Sequence, residues 1–169
     1  MSAADDELLE RRAARLAKPR EDLREVPVLW VAEFAIGESH YAIPLSSLRA
    51  AVPLKRVTPT PLSPAHVIGI LRYQGQFITA VSLSSILGVT GWEGDPVVLL
   101  VVDTGRGKLV ALDCEQLPNA ISLGLEDVEA ARRLAKGPIA EVRVGPRTLG
   151  LLDVARLMDR RSGARIESS

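Results

Sequence analysis

The chain has 169 residues, 47% hydrophobic and 25% charged, which is the profile of a globular domain built on one core or on two small subdomains sharing one. A body of that size buries roughly 70% of the surface its unfolded chain exposes, so folding requires neither a metal nor a disulfide. Lysine plus arginine (21) balances aspartate plus glutamate (21), which argues against binding to nucleic acid or directly to an anionic membrane through net charge.

The N-terminal stretch MSAADDELLERRAARLAK is charged throughout and lacks the apolar region of a secretory signal. No run approaches the ~20 apolar residues of a membrane-spanning helix, so a cytoplasmic location is expected. Leu9, Leu16 and Leu23 recur at seven-residue spacing among paired charges, which predicts a helix over 5–18 that ends at Pro19. Residues 1–26 therefore read as a charged helical arm, residues 27–160 as the folded domain and 161–169 as a flexible tail.

From Val28 the texture becomes β-like. VLWVAEFAI, GES and HYAIP predict a strand, a turn and a second strand. LSSLRAAV, between Pro44 and Pro53, predicts a short helical turn and then an extended pair, and the proline-rich TPTPLSP predicts an extended loop. VIGILRYQGQF and FITAVS form a hairpin whose reversal lies at Gln74-Gly75, where glycine supplies a positive φ. LSSILG predicts a one- or two-turn helix stopped at Gly88. PVVLLVVD and KLVALDCE flank TGRG as a second hairpin, and PIAEVRV and TLGLLD flank GPR as a third. VARLMDRR closes as an amphipathic helix, while LGLEDVEAARRLA, residues 123 to 135, fits either a helix of two or three turns or a crossing loop with a helical section. Short strands at this spacing predict an all-β fold, barrel or sandwich, with short accessory helices.

Groups that carry catalysis are sparse. His40 and His66 have no metal-binding partner at ligand spacing. Asp5 and Asp6 lie in the arm, and Asp103 and Asp113 flank a hairpin, where aspartate commonly stabilises turns. In TGRGK, Lys108 is followed by Leu109 and a strand, whereas a phosphate loop needs Ser or Thr there and a helix. Ser46, Ser47, Ser84 and Ser85 have no base nearby in sequence, and no G-x-S-x-G elbow occurs. Cys114 is the only cysteine and reads as a small buried hydrophobe. The expectation is a non-enzyme with no catalytic residues, no metal and no cofactor.

FAIGESHYAIPLSSLRAAV, then VTPTPLSPAHVIGILRYQGQFITAVSLSSILG, then VVLLVVDTGRGKLVALDCEQL resembles, in order and spacing, the chemotaxis coupling protein family CheW and the related regulatory domain of the kinase CheA. The resemblance covers roughly Leu29 to Met158. It implies two intertwined five-stranded SH3-like β-barrel subdomains with a hydrophobic groove between them. It also implies an adaptor in bacterial chemosensory signalling, with a methyl-accepting chemoreceptor tip and a CheA-type histidine kinase regulatory domain as partners.

The resemblance also marks departures. The family's hairpin reads Asn-Leu-Arg-Gly where this chain has Arg72-Tyr73-Gln74-Gly75, so Gln74 replaces an arginine. A family glutamate followed by Val or Ile falls at Ala50, with Ala51 after it, while the apolar position at Leu48 is kept. If the family's Arg and Glu interact, losing both leaves neither charge unpaired, although an amide cannot reproduce a guanidinium fork. Strand alternation would put Arg72 on the same face as Gln74, displaced by about 7 Å. Leu48, Ala50, Arg72, Gln74, Gly75 and Phe77 are accordingly the candidate partner-binding residues, with kinase docking altered or lost. An alternative reading is a barrel that binds a small ligand in a cleft lined by Leu48, Ile70 and Phe77.

Overall fold

The structure is a computed structural model that describes residues 26–89, 95–105 and 107–159. The helix expected over 5–18 and the tail from 161 lie outside the described residues. The strands are β1 (Val28–Ile36), β2 (Ser39–Pro44), β3 (Leu48–Pro53), β4 (Val67–Tyr73), β5 (Gln76–Val81), β6 (Val98–Asp103), β7 (Leu109–Cys114), β8 (Asn119–Gly124), β9 (Ile139–Val144) and β10 (Arg147–Leu152). The helices are α1 (Leu83–Leu87), α2 (Leu125–Leu134) and α3 at residues 154–159.

The strands form two five-stranded sheets, ordered β8-β1-β2-β10-β9 and β3-β6-β7-β5-β4. The first sheet takes its strands from both ends of the described chain, and the second is inserted between them. Parallel pairing of β2 with β10 ties the two ends together, so the halves are intertwined rather than consecutive. The fold is all-β, two SH3-like barrels with short accessory helices.

The packing explains why β6 and β7 read as nearly unbroken apolar runs. Successive side chains of a strand point to opposite faces, and here both faces are buried. Leu99 and Val101 fill the second barrel with Leu71, Ile78 and Ala111. Leu100 and Val102 face the other way, into a core shared by the barrels with Phe34, Ile43, Leu112 and Leu152. β1 divides likewise: Ala32, Phe34 and Ile36 enter the shared core, whereas Val31 enters the first barrel.

Two expectations change. The segment between Pro44 and Pro53 is a 3₁₀ turn (Leu45–Ser47) and a full six-residue strand, because β3 pairs along β6 instead of ending after two extended residues. Residues 123 to 135 divide between strand and helix. Leu123 and Gly124 belong to β8, paired antiparallel with β1, and α2 begins at Leu125. Glu126 and Asp127 in its first turn and Arg132 and Arg133 in its last oppose the helix dipole favourably, while Val128 and Ala131 are buried in the first barrel.

The second barrel is closed by backbone. Thr58 and Ile70 exchange hydrogen bonds, Thr58 N–H to the Ile70 carbonyl at 2.8 Å and Ile70 N–H to the Thr58 carbonyl at 2.9 Å. A Cβ on Gly69 would lie 2.2 Å from the Thr58 carbonyl oxygen, so this crossing requires glycine.

Candidate partner-binding surface

The β4–β5 hairpin sorts its residues by alternation. Leu71 and Ile78 point into the second barrel, while Ile70, Arg72, Phe77 and Thr79 point outward. Arg72 lies directly opposite Phe77, and Ile70 opposite Thr79. Phe77 is 71% exposed and Ile70 36%, so two large apolar side chains stand in water beside a cation.

The reversal itself has φ of 47° at Gln74 and 79° at Gly75. Positive φ at both central residues is the two-residue hairpin turn whose twist matches the strands. β4 ends at Tyr73, so Gln74 lies beyond the strand and not two residues along the face that carries Arg72. Strand alternation therefore does not relate the two side chains.

The remaining candidates lie elsewhere. β3 and β4 occupy opposite ends of the second sheet's strand order. The register slips between Leu48, opposite Val102, and Ala50, opposite Val101, which leaves Arg49 as the extra residue of a bulge. Leu48 packs on the shared core, and Ala50 on the interior of the second barrel. The structure thus brings Arg72, Gln74, Gly75 and Phe77 together on one hairpin and places Leu48 and Ala50 on another strand with their side chains turned inward.

The sequence around Arg49 does not mark it as a structural residue. Its guanidinium donates to Asp103 at 2.9 Å and to the Ser46 carbonyl at 2.7 Å, tying the start of β3 to the end of β6. Nothing in the local pattern SLRA announces that pairing, because Asp103 is 54 residues away. A second unannounced cluster joins β1, β2 and β10. Glu33, 6% exposed, accepts both arms of the Arg147 guanidinium, one bond being 2.8 Å, and the His40 ring lies 3.4 Å from the same carboxylate.

The other groups weighed from the sequence have structural surroundings. Asp103 accepts the Gly105 N–H at 2.8 Å, and Thr104 donates both its N–H and its hydroxyl to the Lys108 carbonyl, so TGRGK is a strand-to-strand loop. Asp113 departs from the expected turn role: it is buried within β7 and accepts the Leu83 N–H at 2.8 Å, fixing the start of α1. The Cys114 thiol donates to the Gln116 carbonyl at 2.9 Å. Burial pushes that thiol up to about 11, the Asp113 and Glu115 carboxylates adding to the shift. Among the described residues no group of three His, Cys, Asp or Glu side chains could hold a metal ion.

Neither a cleft of about 500 Å³ between the sheets nor one of about 240 Å³ beside Glu33 is lined by Leu48, Ile70 or Phe77.

Comparison with known proteins gives a consistent picture. The family model for the CheW-like domain matches residues 31–162. A chemotaxis protein CheW of Rhizobium meliloti (strain 1021) is 21% identical over 102 residues, which covers 60% of this chain and 66%, just under two thirds, of that protein. The crystal structure of scaffolding protein TtCheW from Thermoanaerobacter tengcongensis is similar with a TM-score of 0.66 at 14% identity, over 76% of this chain and 91% of that one.

Proposed function

This chain belongs to the CheW-like domain family, and from that premise we propose that it is a noncatalytic adaptor of bacterial chemosensory signalling. In this reading it acts in the cytoplasm and joins the tip of a methyl-accepting chemoreceptor to the regulatory domain of a CheA-type histidine kinase. The domain over 27–160 provides the binding surfaces, flanked by the arm at 1–26 and the tail at 161–169. The names of the chemotaxis relative and of the scaffolding protein support the adaptor role.

The observation that carries the proposal is the outward face of the β4–β5 hairpin. Phe77 and Ile70 are exposed on a hairpin whose opposite face is locked into a barrel core, so the apolar surface is presented on a rigid support. Aromatic side chains flanked by arginine suit the centre of a protein–protein contact. Leu48, Ala50, Arg72, Gln74, Gly75 and Phe77 are the proposed partner-binding residues, the four of the hairpin by direct contact and the inward-packed Leu48 and Ala50 by setting the course of β3. With Gln74 and Ala50 uncharged where the family carries Arg and Glu, docking to the kinase is altered or lost while binding to the receptor is kept.

Pull-down with purified receptor tip and kinase regulatory domain tests this directly. Receptor capture with weak or absent kinase capture is expected, and Phe77→Ala should reduce capture about tenfold or more. Strong capture of both partners would remove the altered-coupling part of the proposal. Capture of neither would remove the adaptor reading itself.

A further inference from the structure

The cleft of about 500 Å³ lies where the 3₁₀ turn at Leu45–Ser47 crosses from one sheet to the other. The β6–β7 loop bounds it on one side, and the end of α2 and the start of α3 bound it on the other. Its volume falls within the range of small-molecule sites. None of the six proposed partner-binding residues lines it.

Three arginines, Arg49, Arg132 and Arg156, line this cleft against two aspartates, Asp103 and Asp153. Asp103 is paired with a cation, whereas Asp153 caps the start of α3 and keeps its charge, so the lining carries three cations against two anions. Asp103 holds the Arg49 guanidinium and the Gly105 N–H, and Asp153 accepts the Arg156 backbone N–H at 3.1 Å. Among the described residues the guanidiniums of Arg132 and Arg156 have neither a salt bridge nor a hydrogen bond. The cleft therefore combines an Arg49 guanidinium held by Asp103 with two uncommitted ones, and Ser46 and Ser47 are among its lining residues.

We infer that this cleft binds a small organic ligand through a phosphate or carboxylate group. Guanidinium is a planar fork of donors that matches such oxyanions, and cationic walls repel a metal ion. The alkyl part of the lining, from Ala135, Pro138 and Ala155, leaves space for a carbon body beside the anionic group. The inference is independent of the adaptor reading, since it concerns different residues.

Calorimetric titration of the full chain with inorganic pyrophosphate and, separately, with succinate tests it. Saturable binding of at least one probe at a single site is expected, and the probe that saturates distinguishes a phosphate ligand from a carboxylate one. Arg132→Ala and Arg156→Ala should each weaken binding about tenfold with the melting temperature unchanged, and Arg143→Ala on β9 should leave it as it is. Saturation by neither probe overturns the proposal. So does equal weakening by Arg143→Ala, which would show that any surface cation serves.

Discussion

The first barrel and the second have five strands each and are closed by different means. In the first, α2 supplies Val128 and Ala131 to the interior, and a side-chain plug completes the core. In the second, the Thr58–Ile70 backbone bridge over Gly69 joins the chain after β3 to β4. The hairpins differ correspondingly. The outward pair on β9–β10 is Arg143 with Thr148, and on β4–β5 it is Arg72 with Phe77. Closure by backbone fixes the second hairpin without covering its outer face, so Ile70 and Phe77 stay exposed there.

Gly69→Ala breaks the second barrel's closure and carries the largest expected effect. A methyl group 2.2 Å from a carbonyl oxygen forces the backbone apart, and a loss of about 4 kcal/mol in denaturant unfolding is expected. Hydrogen exchange should show the Thr58 and Ile70 amides losing protection first. A loss below about 1 kcal/mol would mean that the bridge is a consequence of barrel closure and not its cause.

The first barrel has its own point of failure in the Glu33–Arg147 pair. Arg147→Ala leaves a carboxylate buried with only His40 beside it, which costs about 3 kcal/mol. Arg147→Lys keeps the charge and loses the fork, so it should fall between wild type and alanine. Since Glu33, His40 and Arg147 all lie in the first sheet, the Thr58 and Ile70 amides should stay protected, which separates the two closures.

The shared core is probed through Cys114. A thiol raised from 9.0 to about 11 stays protonated in the folded chain while its unfolded counterpart ionises. Its contribution is complete below pH 9 and is lost as the pH rises to 11, about 3 kcal/mol in all. Cys114→Ala should remove that part of the alkaline slope, and thiol reagents should react with the native chain no faster than it opens. Rapid labelling at pH 8 would place the thiol outside the shared core.

The legibility of these features follows their sequence range. Turn chemistry and alternation disclosed the three hairpins, and apolar runs disclosed β6 and β7. β8 was hidden because NAISLG has one β-branched residue and adjoins a helix-forming stretch; only its pairing with β1 makes it a strand. Arg49–Asp103 and Glu33–Arg147 were hidden because each joins residues more than fifty positions apart, a spacing that no local pattern encodes. The exposed Phe77 was visible as a candidate, but the inward packing of Leu48 and Ala50 depends on the bulge at Arg49.

The smallest effect is the most specific. Gln74 holds a φ of 47°, a region in which a non-glycine side chain is strained, whereas asparagine tolerates it. Gln74→Asn should therefore stabilise the chain by about 0.5 kcal/mol without touching either barrel's closure. Gln74→Arg, which restores the residue typical of the family, must take up the same backbone conformation and should leave stability unchanged. If Gln74→Arg raises affinity for the kinase regulatory domain at constant stability, the residue acts through its contacts with a partner. If the asparagine variant instead raises that affinity equally, turn rigidity is the controlling quantity, and the missing guanidinium is not what distinguishes this hairpin.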